Sequence, residues 1–180
     1  MKKLCSILIA MVALIIFPSL GLADPGTTWE KKIDNPERFQ VLDQFSRQAV
    51  FDQETGRVWE QSPETTRRNW TAALRHCYTL EVGGRKGWRL PTIEELTSLM
   101  SASPSFDIPS LPAGHPFSNV QPPGIYWSAT STSPIFAVIA DFARLGAVRE
   151  SLKSNATLQV AWCVRGGKGI DGPRSFGTSQ

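Results

Sequence analysis

The chain has 180 residues, with 19 Lys or Arg against 16 Asp or Glu, and a formal net charge of +3. Lys2 and Lys3 supply two of these positive charges and precede an apolar run from Leu4 to Phe17. The rest of the chain is therefore nearly neutral, which argues against a nucleic-acid-binding protein with a basic stripe. The length suits one domain.

The first segment, residues 1–23, is predicted to be a secretory signal peptide. Its apolar run is too short to span a membrane, and small residues precede Asp24 at the expected cleavage site. We therefore predict an exported protein, periplasmic or extracellular, without a membrane span after cleavage. The polar residues 24–44 are interpreted as a lead-in to the domain.

Two cysteines follow the signal peptide, Cys77 and Cys163. A pair of cysteines in an exported chain usually forms one disulfide. Redox-active or metal-binding thiols are the alternative, but a metal site would normally have more ligands close in sequence, and the chain has only His76 and His115. We predict a structural disulfide, no bound metal and no cofactor.

The first predicted strands lie between residues 39 and 59. Residues 39–42 alternate weakly between apolar and polar side chains. Apolar runs at 49–51 and 57–59 flank a short loop closed by glycine, which indicates a hairpin. Phe51 and Trp59 are expected to share its buried face.

A helix is predicted next, beginning after Asn69, which is a good N-cap. Its apolar residues recur at helical spacing through Leu80, so Cys77 is expected to point inward. His76 is interpreted as solvated. The glycine pair at 83–84 is expected to end this helix.

The segment Trp88–Leu96 predicts an extended residue pair, a corner at a proline and a second helix. Thr92 and Glu95 have the spacing of a capping box, in which each side chain binds the other residue's backbone N–H. Glu94 and Glu95 are adjacent and point about 100° apart on a helix, so they cannot flank one bond as an acid–base pair. We identify no catalytic constellation in the sequence.

The second half of the chain contains a long irregular loop and several short strands. Residues 103–124 include six prolines and two glycines, which exclude regular structure. The glycine- and serine-rich residues 169–180 are expected to form a flexible tail. Two helices with a set of short antiparallel strands predict an α+β domain. The predicted strands are rich in β-formers and cover residues 125–130, 135–142, 147–149 and 158–165.

Five motifs along residues 45–168 resemble the Lcl C-terminal domain family, which is named for the end domain of a bacterial collagen-like adhesin. The resemblance implies a C-type-lectin-like fold on an exported bacterial protein, and attachment to glycans is proposed for the adhesin that gives the family its name. No collagen-like repeat precedes the motifs, so a trimeric adhesin architecture is not implied. In chain order the motifs are Asp52 to Trp59, Trp70 to Cys77, Gly84 to Leu96, Tyr126 to Thr130 and Cys163 to Gly167.

An alternative function is suggested by the Arg-Leu-Pro-Thr sequence at residues 89–92, which is similar to the helix entry of formylglycine-generating and sulfatase-modifying oxidases. Such an enzyme requires a reactive thiolate. Both cysteines, however, match the structural pair of the Lcl family. A non-catalytic binding module is therefore the leading interpretation, with the oxidase and a structural envelope protein as alternatives.

The candidate ligand-binding residues are Arg144, Arg149 and Lys153, together with the proline-rich loop 103–124. The three cations lie in a predicted turn-and-loop region, residues 143–157, and could meet the sulfate or carboxylate groups of an acidic glycan. Another envelope protein is the alternative partner. Calcium is not expected, since calcium sites need several carboxylates and this region of the sequence lacks them.

Overall fold

The fold is α+β, as the sequence predicts. The computed structural model describes residues 37–100, 110–120, 124–143 and 147–166. The predicted signal peptide, Arg144 and the predicted tail lie outside these ranges. Among the described residues, no helix combines the length and apolar composition that crossing a membrane requires.

The described residues form eight strands and two α-helices, with a short 3-10 helix at Asp43–Phe45. Strands pair antiparallel in two sheets, one ordered β1-β2-β3-β8-β4 and the other β5-β6-β7. The elements are β1 Phe39–Val41, β2 Ala49–Asp52, β3 Arg57–Glu60, α1 Trp70–Thr79, β4 Trp88–Arg89, α2 Ile93–Ser98, β5 Ile125–Ser131, β6 Phe136–Asp141, β7 Ala147–Leu152 and β8 Val164–Arg165.

Residues 37–44, within the range interpreted as a lead-in, are part of this fold. β1 pairs with β2, and the buried Arg38 donates hydrogen bonds to both carboxylate oxygens of Asp52, at 2.9 and 2.8 Å. A bidentate pair of this kind fixes both the position and the orientation of the guanidinium relative to the carboxylate. The first strand is thereby tied to the hairpin.

The β2–β3 hairpin is confirmed, but its predicted facing is wrong. Val50 lies opposite Trp59 and Phe51 opposite Val58, so Phe51 and Trp59 point to opposite faces of the sheet. Trp59 is fully buried, and Phe51 packs against the other half of the core. Both faces of this hairpin are covered.

Both helices begin where the sequence predicts. The Asn69 side chain accepts a hydrogen bond from the Ala72 N–H at the start of α1. At the start of α2, the Thr92 hydroxyl accepts from the Glu95 N–H, and the Glu95 carboxylate accepts from the Thr92 N–H, which confirms the capping box. The glycine pair does not end α1, however, because the helix stops at Thr79.

The sheets separate two layers of core. α1 and the disulfide lie in one layer, and α2 with part of the proline-rich segment lies in the other. The Cys77–Cys163 bond is present as predicted, and it joins α1 to the residue before β8. Four tryptophans are the largest of the buried side chains among the described residues, and their area helps a domain with short helices to form a core. They are Trp59, Trp88, Trp127 and Trp162.

Two late segments differ from prediction. Residues 158–165 form no continuous strand, because only Val164 and Arg165 join the sheet, while Gln159 and Val160 make isolated bridges. β7 instead continues to Leu152, inside the predicted turn-and-loop region. It lies at the edge of its sheet and pairs with β6.

Candidate functional site

Arg149, the second of the three predicted ligand-binding cations, lies on the edge strand β7. Its Nη2 is 3.2 Å from Oδ2 of Asp141, which is buried, whereas the Arg149 side chain is 42% exposed. The ion pair orients the guanidinium and balances the buried carboxylate. Arg149 therefore has a structural role, while part of its side chain stays exposed to solvent.

Lys153 follows β7 and is held by neutral groups. Its Nζ donates to Ser131 Oγ at 2.6 Å and to the Ser133 carbonyl at 2.9 Å, and it lies 4.3 Å from the centre of the Trp70 ring. These contacts fix the ammonium without neutralising its charge. The structure thus brings Lys153 to the N-terminus of α1, whereas Arg144 lies outside the described residues.

The neighbours of Lys153 are an aromatic ring and two amides. Trp70 is half-buried, and its indole N–H donates to the Ser128 carbonyl. The amide nitrogen of Asn69 donates to the amide oxygen of Asn155 at 3.0 Å. We call Lys153, Trp70, Asn69 and Asn155 the Lys153 surface. The amide and ammonium donors of this surface can bind the hydroxyl and acidic groups of a sugar.

The described part of the proline-rich segment packs into the core. Leu111, Phe117 and Val120 are buried, and the Phe117 ring meets Trp162 edge-on at 4.9 Å. His115 stacks on Phe117, and burial lowers the pKa of its imidazole. Residues 110–120 therefore act as a cover for the core beside α2.

Glu95 does more than cap α2. Its carboxylate accepts two hydrogen bonds from Arg89, both 2.7 Å, and one from Arg57 at 2.5 Å. Burial alone would raise the pKa of Glu95, but the hydrogen bonds from Arg89, the Thr92 N–H and Arg57 outweigh it and lower the pKa to about 2. The sequence predicted that Glu95 caps α2, but it did not predict the ion pairs of Glu95 with Arg89 on β4 and Arg57 on β3.

A second buried carboxyl group lies beside the disulfide. Glu60 is 4% exposed, and its Oε2 accepts a hydrogen bond from the Cys163 N–H at 2.6 Å. Burial raises the pKa of Glu60 to about 7. Its partner in space is His76, and together with Cys163 they place one ligand atom each within 4.8 Å of the others.

The expectation that His76 is solvated is wrong. The side chain is half-buried, burial lowers its pKa, and its Nε2 has no hydrogen-bond partner among the described residues. Its position three residues after the buried Ala73 places it on the flank of the apolar stripe. That spacing is the one signal in the sequence that could have indicated its burial.

The sequence of this fold matches a family model described as the Lcl C-terminal domain, over residues 48–165. The chain belongs to the Lcl C-terminal domain family. The earlier resemblance is thus confirmed, and the family is one of adhesin-like domains. No curated protein matches the sequence. The C-type-lectin-like fold stays a prediction.

The motifs that identify this Lcl C-terminal domain have mainly structural roles here. Trp88 and Trp127 are buried, and Glu95 joins α2 to two strands. Cys77 and Cys163 are bonded to each other and have no exposed surface. Neither sulfur is therefore available as the reactive thiolate that the oxidase alternative requires.

Proposed function

We propose that this Lcl C-terminal domain is an exported, non-catalytic binding module whose ligand is an acidic glycan. The observation that carries the proposal is the Lys153 surface. There a positive charge is fixed by neutral partners beside an indole ring and two amides. Arg149 lies on β7, which ends one residue before Lys153, and Arg144 precedes that strand in sequence.

Pre-positioning explains how so few charges could bind a polyanion. Lys153 and Arg149 are both held by contacts within the chain. A side chain that is already ordered loses little conformational entropy when a ligand binds. Lys153 supplies the net positive charge, since Arg149 is balanced by Asp141. The exposed part of the Arg149 guanidinium would then donate bidentate hydrogen bonds to a sulfate or carboxylate group of the ligand.

The test is binding to immobilised heparin-like polymer at low and physiological salt, with the variant Arg144→Gln/Arg149→Gln/Lys153→Gln. Three screened charge contacts are each worth up to about 1 kcal/mol, so the variant should bind about tenfold more weakly or worse. Binding of the natural protein should weaken with salt and be unchanged by a calcium chelator.

The matched control removes three exposed cations elsewhere, as Arg47→Gln/Arg75→Gln/Lys86→Gln. This variant has the same net charge as the first, so non-specific attraction falls equally in both. A natural protein that fails to bind at low salt would refute the glycan proposal. Equal losses in the two variants would show that overall charge, and not the Lys153 surface, binds the polymer.

Export is tested separately by the intact mass of protein recovered outside the cytoplasm. Cleavage after Ala23 should leave a chain that begins at or near Asp24. Recovery of the full-length chain in the membrane fraction would contradict the predicted processing.

A further inference from the structure

The buried polar cluster beside the disulfide contains four potential metal ligands. Ligand atoms of Glu60, His76 and Cys163 lie within 4.8 Å of one another, and Cys77 Sγ is bonded to Cys163 Sγ. The imidazole Nε2 is buried without a hydrogen-bond partner among the described residues. Two sulfurs, one imidazole nitrogen and one carboxylate oxygen form a donor set that suits zinc.

We propose that reduction of the Cys77–Cys163 disulfide converts this cluster into a tetrahedral zinc site, with Cys77, Cys163, His76 and Glu60 as its ligands. Zinc binds these donors at about 2.0–2.3 Å, so its ligand atoms lie about 3.3–3.8 Å apart. The observed cluster needs to contract by about 1 Å, while the two sulfurs separate from bonding distance. The disulfide and the metal are then mutually exclusive states of one site.

The scaffold holds the ligands in place by contacts other than the disulfide. The Glu60 N–H donates to the Cys163 carbonyl at 3.2 Å, and the Cys163 N–H donates to Glu60 Oε2. β3 and β8 continue this pairing. His76 and Cys77 are consecutive on α1, whose first turn is capped by Asn69. Loss of the sulfur–sulfur bond alone therefore leaves both sides of the cluster anchored.

The carboxylate can bind zinc without giving up its present hydrogen bond. Oε2 of Glu60 accepts from the Cys163 N–H, and a carboxylate has a second oxygen with its own lone pairs. The hydrogen bond would then act as an outer contact that orients the ligand, as such contacts commonly do around zinc.

The chemistry balances with a dithiol or phosphine reductant. Reduction supplies two electrons and two protons, breaks the sulfur–sulfur bond and forms two thiols, while a dithiol becomes a disulfide or a phosphine takes oxygen from water. Zinc then displaces the two thiol protons and any proton on the Glu60 carboxyl group. Two thiolates, one carboxylate and Zn²⁺ leave a charge of −1. Arg68, whose charge acts on both Glu60 and His76, partly offsets it.

The experiment titrates the reduced chain with Co²⁺ and then Zn²⁺, after treatment with a phosphine under anaerobic conditions. The reduced protein should bind one Co²⁺ per chain, with the visible bands of a tetrahedral ion and thiolate-to-cobalt charge transfer, and Zn²⁺ should abolish these bands. The oxidised protein should show neither. Zinc should also raise the Tm of the reduced chain, because it binds the folded state.

Two ligand variants, Glu60→Gln and His76→Gln, are compared with Glu94→Gln and His115→Gln as matched controls. Removal of a ligand should weaken zinc binding by at least about tenfold, since even loss of an outer contact costs that much. The controls should bind as the natural sequence does. The cobalt bands of the His76 variant should shift, because a nitrogen donor is replaced.

Three results would overturn the proposal. One is a reduced chain that remains unfolded by circular dichroism when zinc is added. Another is equal cobalt affinity and an equal spectrum for the natural protein and both ligand variants, which would indicate binding by the two thiolates alone. The third is equal binding by the oxidised protein. If Glu60→Gln does not fold, the comparison of His76→Gln with the natural protein still decides between these outcomes, because His76 is only half-buried.

Discussion

The charge of Glu95 should contribute a large share of the stability of this domain, and Glu95→Gln isolates that contribution. Gln retains an oxygen that can accept the Thr92 N–H, so the cap of α2 persists while the charge is lost. The pKa of Glu95 falls from its ordinary value of 4.5 to about 2 in the folded chain. At about 1.4 kcal/mol per pKa unit, this shift corresponds to about 3 kcal/mol.

Partial exposure reduces this figure. The Arg89 side chain is 43% exposed, and solvent screens its share of the interaction. We therefore expect Glu95→Gln to lower the free energy of unfolding at pH 7 by about 2 kcal/mol. Urea denaturation followed by tryptophan fluorescence measures this change as a shift of the midpoint at constant slope.

The pH dependence gives the sharper test. A carboxyl group with a lowered folded pKa stabilises the protein above its unfolded pKa, and the contribution is lost as pH falls through the folded value. The difference between the natural protein and Glu95→Gln should therefore be constant above about pH 5.5 and shrink between pH 4.5 and pH 2. Glu94→Gln, an exposed neighbour on the same turn, is the charge-matched control. Equal effects of the two variants, or a loss at pH 3 as large as the loss at pH 7, would refute the reasoning.

Three further changes test the core, the Lys153 surface and a turn. Cys77→Ala/Cys163→Ala opens a loop with a sequence separation of 86 and should cost about 4 kcal/mol, on the order of 10 °C in Tm. Lys153→Met should cost about 1 kcal/mol in urea denaturation and Lys153→Arg less than half of that, because an arginine keeps the cation–π contact. Gly83→Ala should cost at least about 2 kcal/mol more than Gly84→Ala, since both have positive φ but only at Gly83 would a Cβ lie 2.4 Å from a backbone oxygen. Equal thermal unfolding of the two alanine variants would contradict this clash.

Local signals in the sequence were sufficient for the helix starts and the hairpin. Asn69 and the Thr92–Glu95 pair act on backbone groups within three residues, so their spacing alone predicts their geometry. The disulfide was predicted because only Cys77 and Cys163 follow the predicted signal peptide, which leaves one pairing available. The helix caps depend on contacts within a few residues, and the disulfide depends on the number of cysteines. Both can be deduced from the sequence alone.

Features that depend on distant packing could not be predicted in the same way. Alternation assigns a strand's faces only when one face is solvated, and both faces of the β2–β3 hairpin are covered, so Phe51 and Trp59 were misplaced. In residues 158–165 the apolar alternation suggested a strand, but Ala161 to Val164 are buried without a break. The Glu60–His76 cluster joins β3, α1 and the residue before β8, a contact that no sequence spacing reveals.

The ligand-binding prediction depended partly on a wrong secondary-structure assignment. Arg149 was expected at the end of a short strand within a turn-and-loop region, but it lies inside the longer β7 and is oriented by Asp141. Lys153 was expected to be an exposed charge, and it instead connects the end of β7 to the start of α1 through Trp70. Their binding role stays a prediction that the paired charge variants decide.

In the part of the chain that the structure describes, β7 is the edge strand of its sheet, and this position has a consequence for self-association. If two copies paired their β7 strands antiparallel about a two-fold axis, the residue at the axis would lie opposite the same residue of the other copy. The number of paired residues is largest when that residue is Arg149 or Glu150. The first register sets arginine against arginine, and the second sets glutamate against glutamate. Like charges directly opposite each other destabilise a strand pair. The order of two adjacent charges thus protects a six-residue edge, which includes the exposed Val148 and Leu152, from growing into a continuous sheet between molecules.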